Sequence, residues 1–193
     1  MKKDSLCLKT DKGSVVLSVG LFLMLFFMVT VLFCLDMAKC MTAASYVEDG
    51  LSAALLSAEE VEFGMSGEGL IVVLDPDISE NIYNRELRAN LNLDEEFMPG
   101  EPSVFAGKVR PERFLVYNVS ETQTSVFEKI GNRCVYIGTF DNRSVYAPSG
   151  KKVEKTGIFA SVDYSVKGFF GNIYEGNKSK LVDVVIREES DEG

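Results

Sequence analysis

Twenty-one consecutive residues, Val15 to Leu35 (VVLSVGLFLMLFFMVTVLFCL), carry no charge, no Asn, no Gln and no Pro. As a helix such a run rises about 31 Å, which matches the ~30 Å hydrocarbon core of a bilayer. It is apolar on every side, so it has no polar face to turn toward water and is a poor core helix for a soluble domain. A cleaved secretory signal is the rival reading, with a small-residue step at Thr42-Ala43-Ala44; signal apolar regions are usually ~7–15 residues, shorter than this one. The sequence predicts a single transmembrane helix over 15–35.

The charges orient it. Residues 1–14 hold Lys2, Lys3, Lys9 and Lys12 against Asp4 and Asp11, whereas Lys39 is the lone basic residue between Asp36 and Gly50. By the positive-inside rule the leader 1–14 is expected in the cytoplasm and residues 36–193 outside the cell membrane. The net charge of −9 is unevenly spread, at +2 before the run, zero within it and −11 after it.

The chain contains no histidine, which takes away the commonest general base and the commonest imidazole ligand. A sequence pI near 4.7 without a basic patch argues against nucleic acid. Glu59, Glu60 and Glu62 read as solvated helix-end acids, and Asp75 with Asp77 as turn acids, since no cation-loop spacing surrounds them. Gly67-Glu68-Gly69 lacks the lysine and helix of a phosphate loop. Asn118, Asn142 and Asn177 head glycosylation-type triplets, and Phe169, Phe170 and Tyr174 read as core or sheet-edge aromatics. The four cysteines permit at most one bridge, Cys40 to Cys134, and free thiols are the simpler expectation. No catalytic group, cofactor or metal is expected, and the chain is read as a non-enzyme.

The helical pattern continues beyond the span. Met37, Met41, Ala44, Val47, Leu51, Leu55 and Ala58 recur at spacings of three and four, one stripe on a helix that the glycines at 64, 67 and 69 stop near Glu62. Gly50 sits inside it at a cost of roughly 1 kcal/mol relative to Ala. The stripe has two readings: packing against the chain's own outer domain, or against equivalent helices of other subunits through small residues that allow close approach.

Residues 63–193 are expected to form a small β-rich extracytoplasmic domain. Leu70–Leu74 reads as a strand and 78–93 as a helix capped by Asp77. The proline- and glycine-bearing stretch 94–113 reads as a loop. Phe114–Val119, Ser125–Ile130, Cys134–Phe140, Gly157–Lys167 and Leu181–Ile186 read as strands of an antiparallel meander, with Asn177-Lys-Ser as the turn before the last. The fold class is α+β: a long N-terminal helix followed by a small antiparallel sheet domain. In order, this gives a leader 1–14, a span 15–35, a helical continuation 36–62 and the β-rich domain 63–193.

Over residues 9–64 this organisation resembles the TadE-like, type IV pilin-like pseudopilins of tight-adherence pilus systems in their divergent Gram-positive form. The resemblance is carried by a basic leader ending in Lys12-Gly13-Ser14, the apolar span, and the small-residue helix CMTAASYVEDGLSAALLSAEEVEFG. It implies cleavage by a prepilin peptidase between Gly13 and Ser14. It also implies contacts with membrane lipid and with other pilin-like or assembly subunits through the helix, in a pilus or secretion apparatus and without catalysis. Ser18 stands where such proteins usually carry a Glu that pairs with a neighbouring subunit's N-terminal amine. The alternative is a single-pass surface protein whose outer domain binds a protein partner or a cell-wall component.

Overall fold

The computed structural model describes residues 12–59, 61–66 and 69–184, with the side chains of 12–14 and 61–72 excepted. Most of the basic leader (1–11) and the charged tail from 185 onward lie outside the described residues. The chain divides into two units, 1–39 and 40–193, and helix α1 (Lys12–Ser57) runs through the boundary.

In the first unit Phe22, Met24, Leu25 and Phe26 point to successive faces of α1, yet each is more than half exposed. That is the surface expected of a helix solvated by lipid tails rather than by protein. Thr30 donates its hydroxyl to the Phe26 carbonyl (2.9 Å), so this polar group is satisfied within the helix. By length and composition α1 can cross a membrane.

The second unit packs the remainder of α1, helix α2 (Pro76–Leu91) and a five-stranded sheet together. Helix α1 stops at Ser57, short of the expected Glu62, because β1 (Val61–Ser66) pairs with β2 (Gly69–Leu74) as an antiparallel hairpin. Of the glycines expected to stop the helix, Gly64 lies in β1 and Gly69 opens β2, while Gly67 lies outside the described residues. Helix α2 begins two residues earlier than its apolar spacing suggests. Asp75, not Asp77, is its N-cap, accepting from the Asp77 and Ile78 amides at 2.9 and 3.0 Å, with Pro76 at the first helical position. Asn92 closes it in the left-handed region.

The large sheet has the order β5-β4-β3-β6-β7, all antiparallel, formed by β3 (Arg110–Val119), β4 (Gln123–Ile130), β5 (Arg133–Asp141), β6 (Gly157–Lys167) and β7 (Ile173–Asp183). It is not a simple meander: β6 returns across the sheet to pair with the free side of β3. Nor is Asn177-Lys-Ser a turn; those residues lie mid-strand in β7, opposite Ser161 to Asp163. One face of the sheet, with Phe114, Val116, Ile158, Ala160 and Val162, packs on the helices. The other carries Leu115, Tyr117, Phe159 and Leu181 and is covered by Val145, Ala147 and Val153 of the β5–β6 connection.

Candidate helix-packing surface

Between Cys40 and Ser57 the helix has two unlike faces. Ala43, Val47, Leu51, Ala54 and Leu55, with Ala58 just past the end, are fully buried with Tyr83, Leu87 and Leu91 of α2. Gly50 lies at the crossing of α1 and α2, where a Cβ would stand only 2.5 Å from Leu91 Cδ2. Its missing side chain is the space that α2 occupies, a packing role the helical pattern alone does not disclose. Tyr46 donates its hydroxyl to the Asn90 carbonyl (2.8 Å) and fastens the same crossing.

The seven-residue stripe therefore separates. Val47, Leu51, Leu55 and Ala58 are fully buried within the chain's own domain, and Ala44 is half-buried against the same cluster. Met37 and Met41 are 44% and 65% exposed. Met37 belongs to the first unit and Met41 to the first turn of the second, ahead of the buried run that starts at Ala43. Met41, Ser45, Asp49 and Leu56 are exposed as well. Gly13 and Ser14, the expected processing step, fall in the first turn of α1.

Two lysines of β7 grip the polar edge of this helix. Lys178 Nζ lies 2.8 Å from Glu48 Oε2, and Lys180 donates to Ser52 Oγ at 2.6 Å. The Lys178 hydrogen bond and charge hold the Glu48 carboxyl below its ordinary range, and the same bond raises the Lys178 ammonium. These contacts were hidden from the sequence by the turn-like triplet Asn177-Lys-Ser. The alternation of Lys178 and Lys180 on one side of a strand was the available signal.

The remaining candidates resolve into structural roles. Asp75 caps α2, and Asp77 Oδ1 accepts the Cys134 amide at 2.9 Å. Glu80, a buried residue of α2, is held by Lys129 of β4 and by Asn84. Among the described residues, one buried carboxyl oxygen of Glu59 has no hydrogen-bond partner, and burial followed by repulsion from Asp183 raises its pKa; Glu60 and the Glu62 side chain lie outside the described residues. Cys40 and Cys134 are free thiols, and burial, then the Asp77 and Glu80 charges, push Cys134 up to about 12. All three glycosylation-type asparagines use their amide nitrogens internally: Asn118 to Leu74 O, Asn142 to Ser120 O, and Asn177 to Glu112 and Asp163. Phe169 and Phe170 are exposed rather than core.

An open cleft of about 670 Å³ between α2 and the sheet is lined by Tyr83, Lys108, Arg110, Arg113 and Lys129. Two of those cations already have partners, Arg113 with Glu128 and Lys129 with Glu80. Among the described residues no three His, Cys, Asp or Glu side chains converge to hold a metal ion. No protein-family model, curated protein or solved structure matches this chain.

Proposed function

We propose that the chain is a membrane-anchored, pseudopilin-like structural subunit of a pilus or secretion apparatus, held by residues 15–35 with the sheet domain outside the cell and acting by helix packing without catalysis. The observation that carries this reading is the division of labour along α1. Its C-terminal part, with Ala58 just beyond, binds the chain's own domain through Val47, Leu51 and Leu55, while Met37 and Met41 remain exposed. A helix needed only as an anchor has no use for exposed methionines above the lipid, whereas a subunit packed beside its neighbours does. N-terminal sequencing and intact mass of the protein from its native membrane test the reading. A mature terminus at Ser14 that depends on a prepilin peptidase supports it, and an intact Met1 contradicts it.

A second reading, a single-pass surface protein whose outer domain binds a protein or cell-wall partner, is favoured by Ser18 in place of the family's Glu. It is also favoured by the burial of four of the seven stripe residues within the chain itself.

A further inference from the structure

The β6–β7 hairpin closes on Gly168-Phe169-Phe170-Gly171. Gly171 donates its amide to Gly168 O (3.1 Å), and Gly168 donates to Asn172 O (2.8 Å). Phe169 and Phe170 thus hold the two corners of a tight turn that Gly171 completes at φ +78°. Turn corners favour Gly, Pro, Asn, Asp and Ser. Here they are phenylalanines 60% and 63% exposed, and Ile173, the first residue of β7, is 63% exposed beside them. Three large apolar side chains on a hydrogen-bonded turn form a patch that water alone does not justify.

The contacts of β7 place this turn within its unit. Lys178 meets Glu48 and Lys180 meets Ser52. Two strand residues advance about 6.6 Å and four helical residues about 6 Å, so β7 and the helix from Cys40 onward run side by side in the same direction. Counting back, Ile173 lies about 16 Å of strand before Lys178, whereas Cys40 lies about 12 Å of helix before Glu48. The turn therefore stands at or beyond the level of Cys40, at the end of the unit that the chain enters from Leu35. Only residues 36–39, roughly 6 Å of helix, separate that end from the apolar span.

We infer that Phe169, Phe170 and Ile173 form a second membrane contact, seated in the interfacial layer of the same bilayer that holds residues 15–35. This rests on the anchoring part of the proposed function. The occupant is a lipid surface because the connection is too short to hold this end of the domain far from the headgroups. Aromatic side chains also favour that layer, where ring faces leave water while neighbouring backbone stays hydrated.

The chain has no tryptophan, so single-tryptophan variants report position directly. Full-length Phe170→Trp, Ile173→Trp, Phe22→Trp and Phe140→Trp are reconstituted in nanodiscs of ordinary phosphatidylcholine and phosphatidylglycerol, or of the same lipids with brominated acyl chains. Phe140, half-exposed on β5, pairs with Thr124, which pairs with Val119 at the opposite end of the sheet. The expected result is at least about a twofold loss of emission in brominated lipid for the variants at 170, 173 and 22, and none at 140. Quenching at 22 without quenching at 170 and 173 overturns the second contact while leaving the anchor intact. Blue-shifted but unquenched emission at 170 means that the turn is buried against protein, and also overturns it. No quenching at 22 overturns the anchoring reading and this inference with it.

Discussion

Lys178 of the outer strand and Glu48 of the long helix form an ion pair at 2.8 Å, 130 residues apart in the chain. With Lys180 on Ser52 one turn further along, it sets the direction in which the sheet lies along the helix. The pair is partly exposed, so its contribution is small and screened by salt.

Its pH dependence follows from the shifts. Glu48 is lowered, so its contribution is present above the ordinary carboxylate value and is lost as pH falls through the folded-state value. Lys178 is raised, so its contribution holds below the ordinary ammonium value and is lost as pH rises through the folded one. In thermal melts of the full-length protein in detergent, Glu48→Gln lowers Tm slightly near pH 7. The difference closes by about pH 3, and it shrinks in 1 M salt. An equal deficit at both pH values contradicts the pair's role.

Gly50 and Gly20 lie in the same helix but in opposite surroundings: a Cβ at Gly50 meets Leu91, and at Gly20 it meets nothing within 4 Å. Gly50→Leu is expected to lose about 1–3 kcal/mol through overpacking at the α1–α2 crossing. Gly20→Leu leaves the unfolding midpoint of the sheet domain unchanged. Guanidinium titrations followed by circular dichroism compare the two.

Glu80 is 4% exposed and its compensating charge is Lys129, whose side chain is about a third exposed. Lys129→Met strands the carboxylate, with an expected loss of about 2–3 kcal/mol, toward the low end for buried pairs because the ammonium is partly solvated. The double variant Glu80→Met/Lys129→Met recovers much of that loss, and a double-variant cycle in urea measures it.

Glu59 has the opposite sign to Glu48. Burial and Asp183 raise its folded-state pKa, so above that value the ionised carboxylate opposes folding, and the penalty fades as pH falls toward the unfolded value. Glu59→Gln is expected to raise Tm near pH 7 and to match the wild-type chain by about pH 4, as read by calorimetry.

The uncharged run from Val15 to Leu35 and its helical continuation were legible because each relies on a local pattern: length without charge, and apolar spacing of three and four. The core strands were legible for the same reason, as in the alternation of Gly157–Lys167. What escaped depended on partners distant in sequence. Hairpin β1–β2 takes up Gly64 and Gly69, which read as helix breakers. Asn118 ties β2 to β3 by pairing its amide with both backbone groups of Leu74, at 2.9 and 3.0 Å, which no short window reveals. Strand β7 hid behind Asn177-Lys-Ser, residues that suit a turn until the lysines find α1. Of the stripe, the residues facing α2 and the sheet could not be told from Met37 and Met41, because spacing marks a face but not how far along the helix a partner covers it.

The central claim is that the exposed face of α1, starting at Met37 and Met41, packs against the same helix of another copy. Site-specific oxidative crosslinking in native membranes tests this most directly, with single cysteines introduced as Met37→Cys, Met41→Cys or Tyr146→Cys into a chain whose own four cysteines are replaced by serine. Tyr146 is 59% exposed on the β5–β6 connection and serves as the control. The account predicts a discrete dimer from the variants at 37 and 41 under mild oxidation, and none from the variant at 146. Monomer at every position, or equal crosslinking at all three, contradicts it.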